Sequence, residues 1–184
     1  MFLEDGAGTG YKAGVTNENM LRTSAITSAF EYHINEDEHE SYSAMFSFAL
    51  SGTNKCIGYI KNNNVLNLVV SEWMVAASVD TIITFKFGDS GTPGDSPATV
   101  TPVSRNAGSG TEAQVTAYLA SSAANGISGL SGGSIVVGMQ VRAVSPSQYY
   151  SALSGLILPK NKILTIYSSA AAAIQCGMGI SFHD

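Results

Sequence analysis

Apolar and polar residues alternate with a period of two along most of the chain. This pattern is typical of β-strands with one buried face, because successive side chains of a strand point to opposite sides of a sheet. Alternating stretches occupy residues 30–34, 46–50, 57–59, 66–70, 83–87, 115–119, 137–143, 156–158, 163–167 and 174–182. The turn Asn62-Asn63-Asn64 separates two of these stretches and predicts a β-hairpin.

The number and spacing of the stretches indicate the fold class. Residues 118–124 and 145–153 also fit short helices, but neither segment is long enough to change that class. Roughly eight to ten short strands with turn residues between them predict an all-β protein, an antiparallel β-sandwich. The strand count and the long loops in the middle of the chain favour the eight-stranded jelly roll.

The first 19 residues differ from the rest of the chain. Four glycines lie within nine positions, at Gly6, Gly8, Gly10 and Gly14. So many glycines disfavour a helix and predict an extended, mobile arm, with Phe2 and Tyr11 as its large anchors. The sequence therefore predicts two parts, an extended glycine-rich N-terminal arm over residues 1–19 and a single β-sandwich domain over residues 20–184.

Composition narrows the range of partners. Apolar residues make up 45% of the 184 residues, charged residues only 12%, and the net charge is −5. So low a charge argues against a helical bundle or a coiled coil, and the nine scattered basic residues argue against nucleic-acid binding. Residues 163–182 are uncharged, but their strict alternation predicts strands and no membrane partner. Glu4 and Asp5 stand where a secretory signal would carry basic residues, so we expect no such signal.

One string resembles a catalytic motif. Gly129-Leu130-Ser131-Gly132-Gly133 matches the G-x-S-x-G pattern of a nucleophilic serine, which needs a strand before it and a helix after it. Here a strand pattern follows the string, so a glycine-rich turn is the favoured interpretation. Gly6-x-Gly8 likewise lacks the preceding strand and following helix of a dinucleotide site.

The densest charge cluster, H-I-N-E-D-E-H-E, occupies residues 33–40. Oxygen ligands suit a hard cation such as Ca²⁺, and the same idea extends to a later loop. The carboxylates concerned are Glu36, Glu38 and Glu40, with His33 or His39 beside them, and Asp89 and Asp95 in the later loop. The spacing fits no zinc motif, and a solvated acidic loop is the alternative. We assign no metal and no cofactor, and leave cation binding at these carboxylates open.

The remaining candidates are aromatic residues and thiols. Trp73 and the pair Tyr149-Tyr150 could stack on a sugar, although aromatic residues of β-proteins more commonly lie in a core or an interface. Cys56 and Cys176 each lie within an apolar strand pattern, which favours buried free thiols. No catalytic set of residues emerges, so we expect a protein that is not an enzyme.

Several segments resemble small virion proteins of tailed bacteriophages. The opening resembles theirs in Asp5-Gly6-x-Gly8-Thr9-Gly10-x-Lys12-Ala13-x-Val15, followed by Asn19-x-Leu21. Further similar segments are Thr101-Pro102-Val103-Ser104-Arg105-Asn106 with Gly108-Ser109-Gly110, then Gly129-Leu130-Ser131-Gly132-Gly133, and Gly155-Leu156-Ile157-Leu158-Pro159-Lys160-Asn161. Together these segments span most of the chain.

The resemblance implies a capsid decoration, or cement, protein of the jelly-roll type. Such a protein is made in the cytoplasm of the host bacterium, binds the outside of the virion shell at junctions of the major capsid protein, and stabilises it. The resemblance also implies a homo-oligomer, a dimer or a trimer, with no catalytic residues. The alternative is a tail- or fibre-associated β-sandwich that binds a receptor or a carbohydrate.

The arm is the segment that we expect to touch another subunit. Glycine-rich backbone can add hydrogen bonds to a neighbouring strand, and residues 1–15 contain apolar anchors for such a contact. The predicted contact residues are Phe2, Leu3, Tyr11, Lys12 and Val15.

Overall fold

The computed structural model describes residues 2–4, 12–15, 21–22, 40–143 and 155–183. The chain divides into two compact units, Met1–Tyr32 and His33–Asp184. In the first unit, strands β1 (Phe2–Glu4), β2 (Lys12–Val15) and β3 (Leu21–Arg22) form an antiparallel sheet in the order β1-β2-β3. Parts of the predicted arm are thus paired strands. The predicted boundary at residue 19 and the contact with another subunit stay predictions.

In its described residues, 40–143 and 155–183, the second unit contains eleven strands in two antiparallel sheets. They are β4 (Ser41–Ala49), β5 (Lys55–Asn62), β6 (Asn67–Ala77), β7 (Thr81–Phe87), β8 (Ala98–Thr99), β9 (Val103–Ser104), β10 (Val115–Leu119), β11 (Ser134–Val141), β12 (Leu156–Leu158), β13 (Ile163–Ser168) and β14 (Ala173–His183). The six-stranded sheet has the order β11-β7-β13-β5-β10-β8, and the five-stranded sheet has the order β12-β6-β14-β4-β9. The predicted all-β sandwich is confirmed.

The inward-facing apolar residues of the alternating strands form the core between the two sheets. In β4, Ala44 and Phe46 are buried while Ser43 and Met45 are exposed, as the alternation predicts. In β6, Trp73 and Val75 are buried in the same way. The ring of Trp73 packs against Phe85 of the six-stranded sheet, with ring centroids 3.8 Å apart. Buried apolar area of this kind supplies most of the free energy that holds two sheets together.

The described part of the chain contains no helix. The helix considered for residues 118–124 is therefore wrong, because β10 extends to Leu119 and pairs there with β5. The helix considered for residues 145–153 and the alternating stretch at residues 30–34 lie outside the described residues.

β5 departs from strict alternation. The pairing with β13 skips Ile57, since Gly58 pairs with Ile166 and Cys56 pairs with Tyr167. This β-bulge turns Ile57 toward the main core and leaves Tyr59 in a second cluster on the other face of the sheet. The predicted alternation, which put Ile57 and Tyr59 on one face, is therefore wrong at this strand.

The loop after β10 covers that second cluster. Ala120 and Ile127 are buried against Cys56 and Tyr59, and Ile127 donates a backbone hydrogen bond to the carbonyl of Cys56 at 2.8 Å. β5 is consequently buried on both faces and paired along both edges.

The predicted hairpin at Asn62-Asn63-Asn64 is also wrong. β5 belongs to the six-stranded sheet and β6 to the five-stranded sheet, so the turn connects the two sheets. Asn62 is fully buried in this turn, and its Nδ2 donates hydrogen bonds to the carbonyls of Leu66 and Leu158, both at 2.8 Å. Its Oδ1 accepts a hydrogen bond from the amide of Asn64, also at 2.8 Å. Asn62 thus ties both sheets together at one end of the sandwich.

We expect the substitution Asn62→Ala to lower the free energy of unfolding by about 2–4 kcal/mol, because it leaves buried carbonyl and amide groups without partners. Asn63→Ala is the matched control. It removes only an exposed hydrogen bond to Thr116, so we expect a loss below about 1 kcal/mol. Urea unfolding of the three proteins measures the difference, and equal losses in the two variants would contradict the role given to Asn62.

Candidate functional site

The outer face of the five-stranded sheet carries a trough. Its floor is formed by Gly177 and Gly179, two outward-facing positions of β14 without side chains. Gly177 pairs with Met45 of β4 on one side and with Met74 of β6 on the other. A Cβ atom at residue 177 would lie 3.6 Å from the Met45 Cε and 3.8 Å from the Met74 Cε. The two methionines therefore form the walls of the trough.

An ion pair crosses the trough at one end. The guanidinium of Arg105, just after β9, bonds to the Glu72 carboxylate on β6 and lies over Gly179. The Arg105 Nε also donates a hydrogen bond to the Ser43 hydroxyl at 3.0 Å. A Cβ atom at residue 179 would collide with both members of the ion pair, so a side chain at that position would make Arg105 and Glu72 shift.

The trough is apolar and nearly neutral. It contains a cavity of about 330 Å³, and the side chains of Met45, Met74 and Val103 around it are 59%, 50% and 68% exposed. Among the described residues that line the cavity, Glu72 and Arg105 are the only charged ones, and they neutralise each other. Partial burial lowers the pKa of Arg105 from its ordinary value, but the group stays charged at neutral pH.

This arrangement suits binding of an uncharged apolar group. Methionine side chains are flexible and polarisable, so they adapt to occupants of different shape. Exposed apolar side chains on the outer face of a sheet are a recognised sign of an interaction surface. The Arg105–Glu72 pair adds hydrogen-bonding groups at one end only.

Sequence reasoning missed the trough. The inward residues of β14 defined the strand pattern, and the signal lay in the outward positions, where glycines replace the polar residues typical of a solvated face. Arg105 belongs to a segment that resembles virion proteins, and nothing in the sequence connects it with Glu72, 33 residues away.

Ser131 lies in a turn. Its backbone amide and carbonyl pair with Ser90 in an isolated β-bridge, and the strand β11 follows it where the catalytic motif requires a helix. Gly129 and Gly132 have φ values of 75° and 89°, the left-handed region that favours glycine. The glycine-rich turn favoured by the sequence is therefore what the structure contains.

Asp89 is buried at the base of the same turn. Its carboxylate accepts hydrogen bonds from the amide of Gly133 at 2.8 Å, from the hydroxyl of Tyr167 at 3.2 Å, and from the hydroxyl of Thr165. The Lys86 Nζ lies 4.0 Å from the centre of the Tyr167 ring. Burial is the main reason why the pKa of Tyr167 is raised. The Tyr167 hydroxyl therefore stays protonated at neutral pH and donates its hydrogen bond to Asp89. Asp89 thus anchors the turn to β13.

The other candidate cation ligands are scattered. Asp95 accepts a long hydrogen bond from Asn125 at 3.4 Å. In the acidic segment only Glu40 is described, and Glu36, Glu38, His33 and His39 lie outside the described residues. Within the described ranges, no three His, Cys, Asp or Glu side chains come together as a metal site.

The aromatic candidates have separate outcomes. Trp73 is completely buried, so the idea that it stacks on a sugar is wrong. Tyr149 and Tyr150 lie outside the described residues. Of the predicted contact residues, Phe2 and Leu3 lie in β1 and Lys12 and Val15 in β2, with Leu3 paired to Ala13. Tyr11 is the fifth predicted contact residue, and it also lies outside the described residues.

No family model, curated protein or solved structure matches this chain. Among the residues that the structure describes, no helix has the length and apolar character needed to span a bilayer.

Both cysteines are buried free thiols, as the sequence favours. Cys176 lies in the main core and Cys56 in the second cluster, where its Sγ donates a hydrogen bond to the carbonyl of Gly58 at 3.2 Å. Burial raises the pKa of each thiol from 9.0 to about 12.

The raised thiol pKa values predict a loss of stability at alkaline pH. Because the folded state holds each thiol neutral while the unfolded chain ionises it above pH 9, stability falls between pH 9 and pH 12, by roughly 1 kcal/mol per pH unit for each thiol. In Cys176→Ala one of these contributions is gone. We expect its deficit against the wild type, measured by urea unfolding, to shrink as the pH rises from 8 to 11. A deficit that stays constant with pH would contradict the prediction.

Proposed function

We propose that this chain is a virion structural protein without enzymatic activity, a decoration or cement protein that binds the outside of a phage capsid and stabilises the shell. Its partners would be the major capsid protein and further copies of itself, after synthesis in the cytoplasm of the host bacterium. The observation that carries the proposal is the neutral, methionine-walled trough on the outer face of the five-stranded sheet. The sequence resemblance supplies the class of partner.

The strand order supports a jelly roll as the fold of this proposed virion protein. Without the inserted strands β8, β9 and β10, the sheets have the orders β12-β6-β14-β4 and β11-β7-β13-β5. Numbered along the chain, these eight strands have the orders 6-3-8-1 and 5-4-7-2, in which the first strand lies beside the last. Two interlocked Greek keys produce this order, and viral shell proteins commonly use it.

The character of the trough also supports a docking role. A shell contact must form repeatedly between identical surfaces, and it benefits from shape and apolar area more than from charge. Arg105 and Glu72 neutralise each other. A positively or negatively charged side chain of the partner would therefore lose its hydration in the trough without finding a free opposite charge to pair with. An uncharged apolar side chain of the shell protein is the matching occupant.

The second candidate is a tail- or fibre-associated module that binds a receptor or a carbohydrate. The cavity of about 330 Å³ favours it, since a pocket of that volume can hold a small ligand. The exposed apolar side chains around the cavity are methionine and valine, whereas sugar binding commonly uses exposed aromatic rings.

Copy number separates the two candidates. For a decoration protein, quantitative mass spectrometry of purified particles should find about one copy of this chain per major capsid protein, or a simple fraction such as one copy per several capsid subunits. A few copies per particle would instead support the tail or fibre candidate. Absence from purified particles would refute both.

The trough can be tested directly on shells that lack this chain. Gly177→Val places a branched side chain between Met45 and Met74. Its Cβ atom meets only ordinary contact distances, and the exposed, flexible methionine side chains move aside for the two γ-methyl groups. We expect the sandwich to stay folded and shell affinity to fall at least tenfold, since the trough is filled. The control is Gln175→Val, an exposed position on the same strand outside the cavity, which should bind as the wild type does. Equal binding by both variants would place the contact elsewhere, whatever the copy number.

A further inference from the structure

The four edges of the two sheets differ in length. β8 and β9 have two residues each and β12 has three, whereas β11 has eight. An exposed edge strand presents unpaired amide and carbonyl groups, and natural proteins commonly protect such edges by making the edge strand very short. Among the described strands, the outermost strand is thus very short at three edges and long at β11.

Two other common forms of protection, charged residues and proline, are also missing from β11, whose sequence is SIVVGMQV. Ile135 and Val136 are 61% and 40% exposed. A bulge at Val136 interrupts the pairing with β7, but Val137 to Val141 continue in regular register with Phe85 to Thr81. A regular segment of uncharged edge therefore remains.

The hydrogen bonds of β7 identify the backbone groups that face outward. The carbonyl of Ile82 accepts a bond from the amide of Ser169 at 3.0 Å, so Ile82 faces β13. Because residues of an antiparallel strand face alternate neighbours, Thr84 also faces β13, while Ile83 and Phe85 face β11. Gln140 and Gly138 pair with Ile82 and Thr84, so their own amides and carbonyls point away from β7.

We propose that two copies of this chain associate through β11. The two β11 strands lie antiparallel about a two-fold axis, and Gly138 of one copy exchanges backbone hydrogen bonds with Gln140 of the other. The two six-stranded sheets then become one continuous sheet. This association is a property of the sandwich itself and does not depend on the proposed virion role.

A second copy is the occupant that fits the edge. An antiparallel strand with no charged residue can pair with itself without setting like charges opposite each other. In the described part of the six-stranded sheet, the far edge is the two-residue β8, so this sheet offers one long edge strand, β11. A two-fold pair uses the β11 edge of both copies, so the assembly closes as a dimer at this contact rather than growing into a fibre.

The test compares substitutions at one residue. Gln140→Pro removes an amide that makes no bond to β7, and proline is tolerated at such edge positions. Gln140→Ala removes the side chain and keeps the amide. In sedimentation equilibrium of the full chain at micromolar concentrations, the wild type and Gln140→Ala should have twice the mass of the chain. Gln140→Pro should weaken dimerisation at least tenfold, with its far-UV circular dichroism unchanged.

Amide hydrogen exchange of the wild type supplies a second measurement that needs no variant. Dilution should release the amides of Gly138 and Gln140 from protection while leaving that of Met139, which faces β7, protected. A monomeric or trimeric wild type, an unaltered dimer in Gln140→Pro, or protection of Gly138 that does not change with dilution would each overturn the proposal.

Discussion

The contact between Trp73 and Phe85 is the interaction on which the rest of the sandwich depends. These two fully buried rings belong to consecutive strands, β6 and β7, that lie in different sheets. Because neighbouring residues of a strand face opposite sides, the inward position of Trp73 forces Glu72 and Met74 outward. A register shift of one residue would bury the carboxylate and remove one wall of the trough. The register of β6 that places Trp73 against Phe85 therefore sets both the packing of the core and which residues form the outer surface.

The sequence predicted the strands well because period-two alternation reports burial of one face. β4, residues 137–141 of β11 and residues 173–178 of β14 follow that rule closely. It predicted pairing poorly. The turn at Asn62 has the residues of a hairpin turn, yet it joins strands of opposite sheets, and local alternation carries no information about which strand becomes a neighbour. The bulge at Ile57 was hidden for a related reason, since it depends on a covering loop more than 60 residues later.

The candidate site was less predictable than the fold. Its defining residues are glycines on the outer face of β14 and an ion pair between residues distant in sequence. They come together only because β4, β6, β9 and β14 lie in one sheet. The candidates that the sequence did single out, Ser131 and Asp89, are brought close together, but in a turn that they hold in place. The segments around these two residues resembled functional sites because tight turns and catalytic loops both use glycine, serine and aspartate.

Because β5 is buried on both faces, it is the strand that local unfolding exposes least. This strand has a neighbour along each edge, the main core on one face and the loop that contains Ile127 on the other. A local fluctuation that lifts the loop, or one that frays β10, still leaves the remaining sides covered. Exposure of β5 therefore requires cooperative unfolding of the whole domain. Proteases that act on transiently opened chains would find their first cuts elsewhere, and the strand would be the last part of the sandwich to lose its native neighbours.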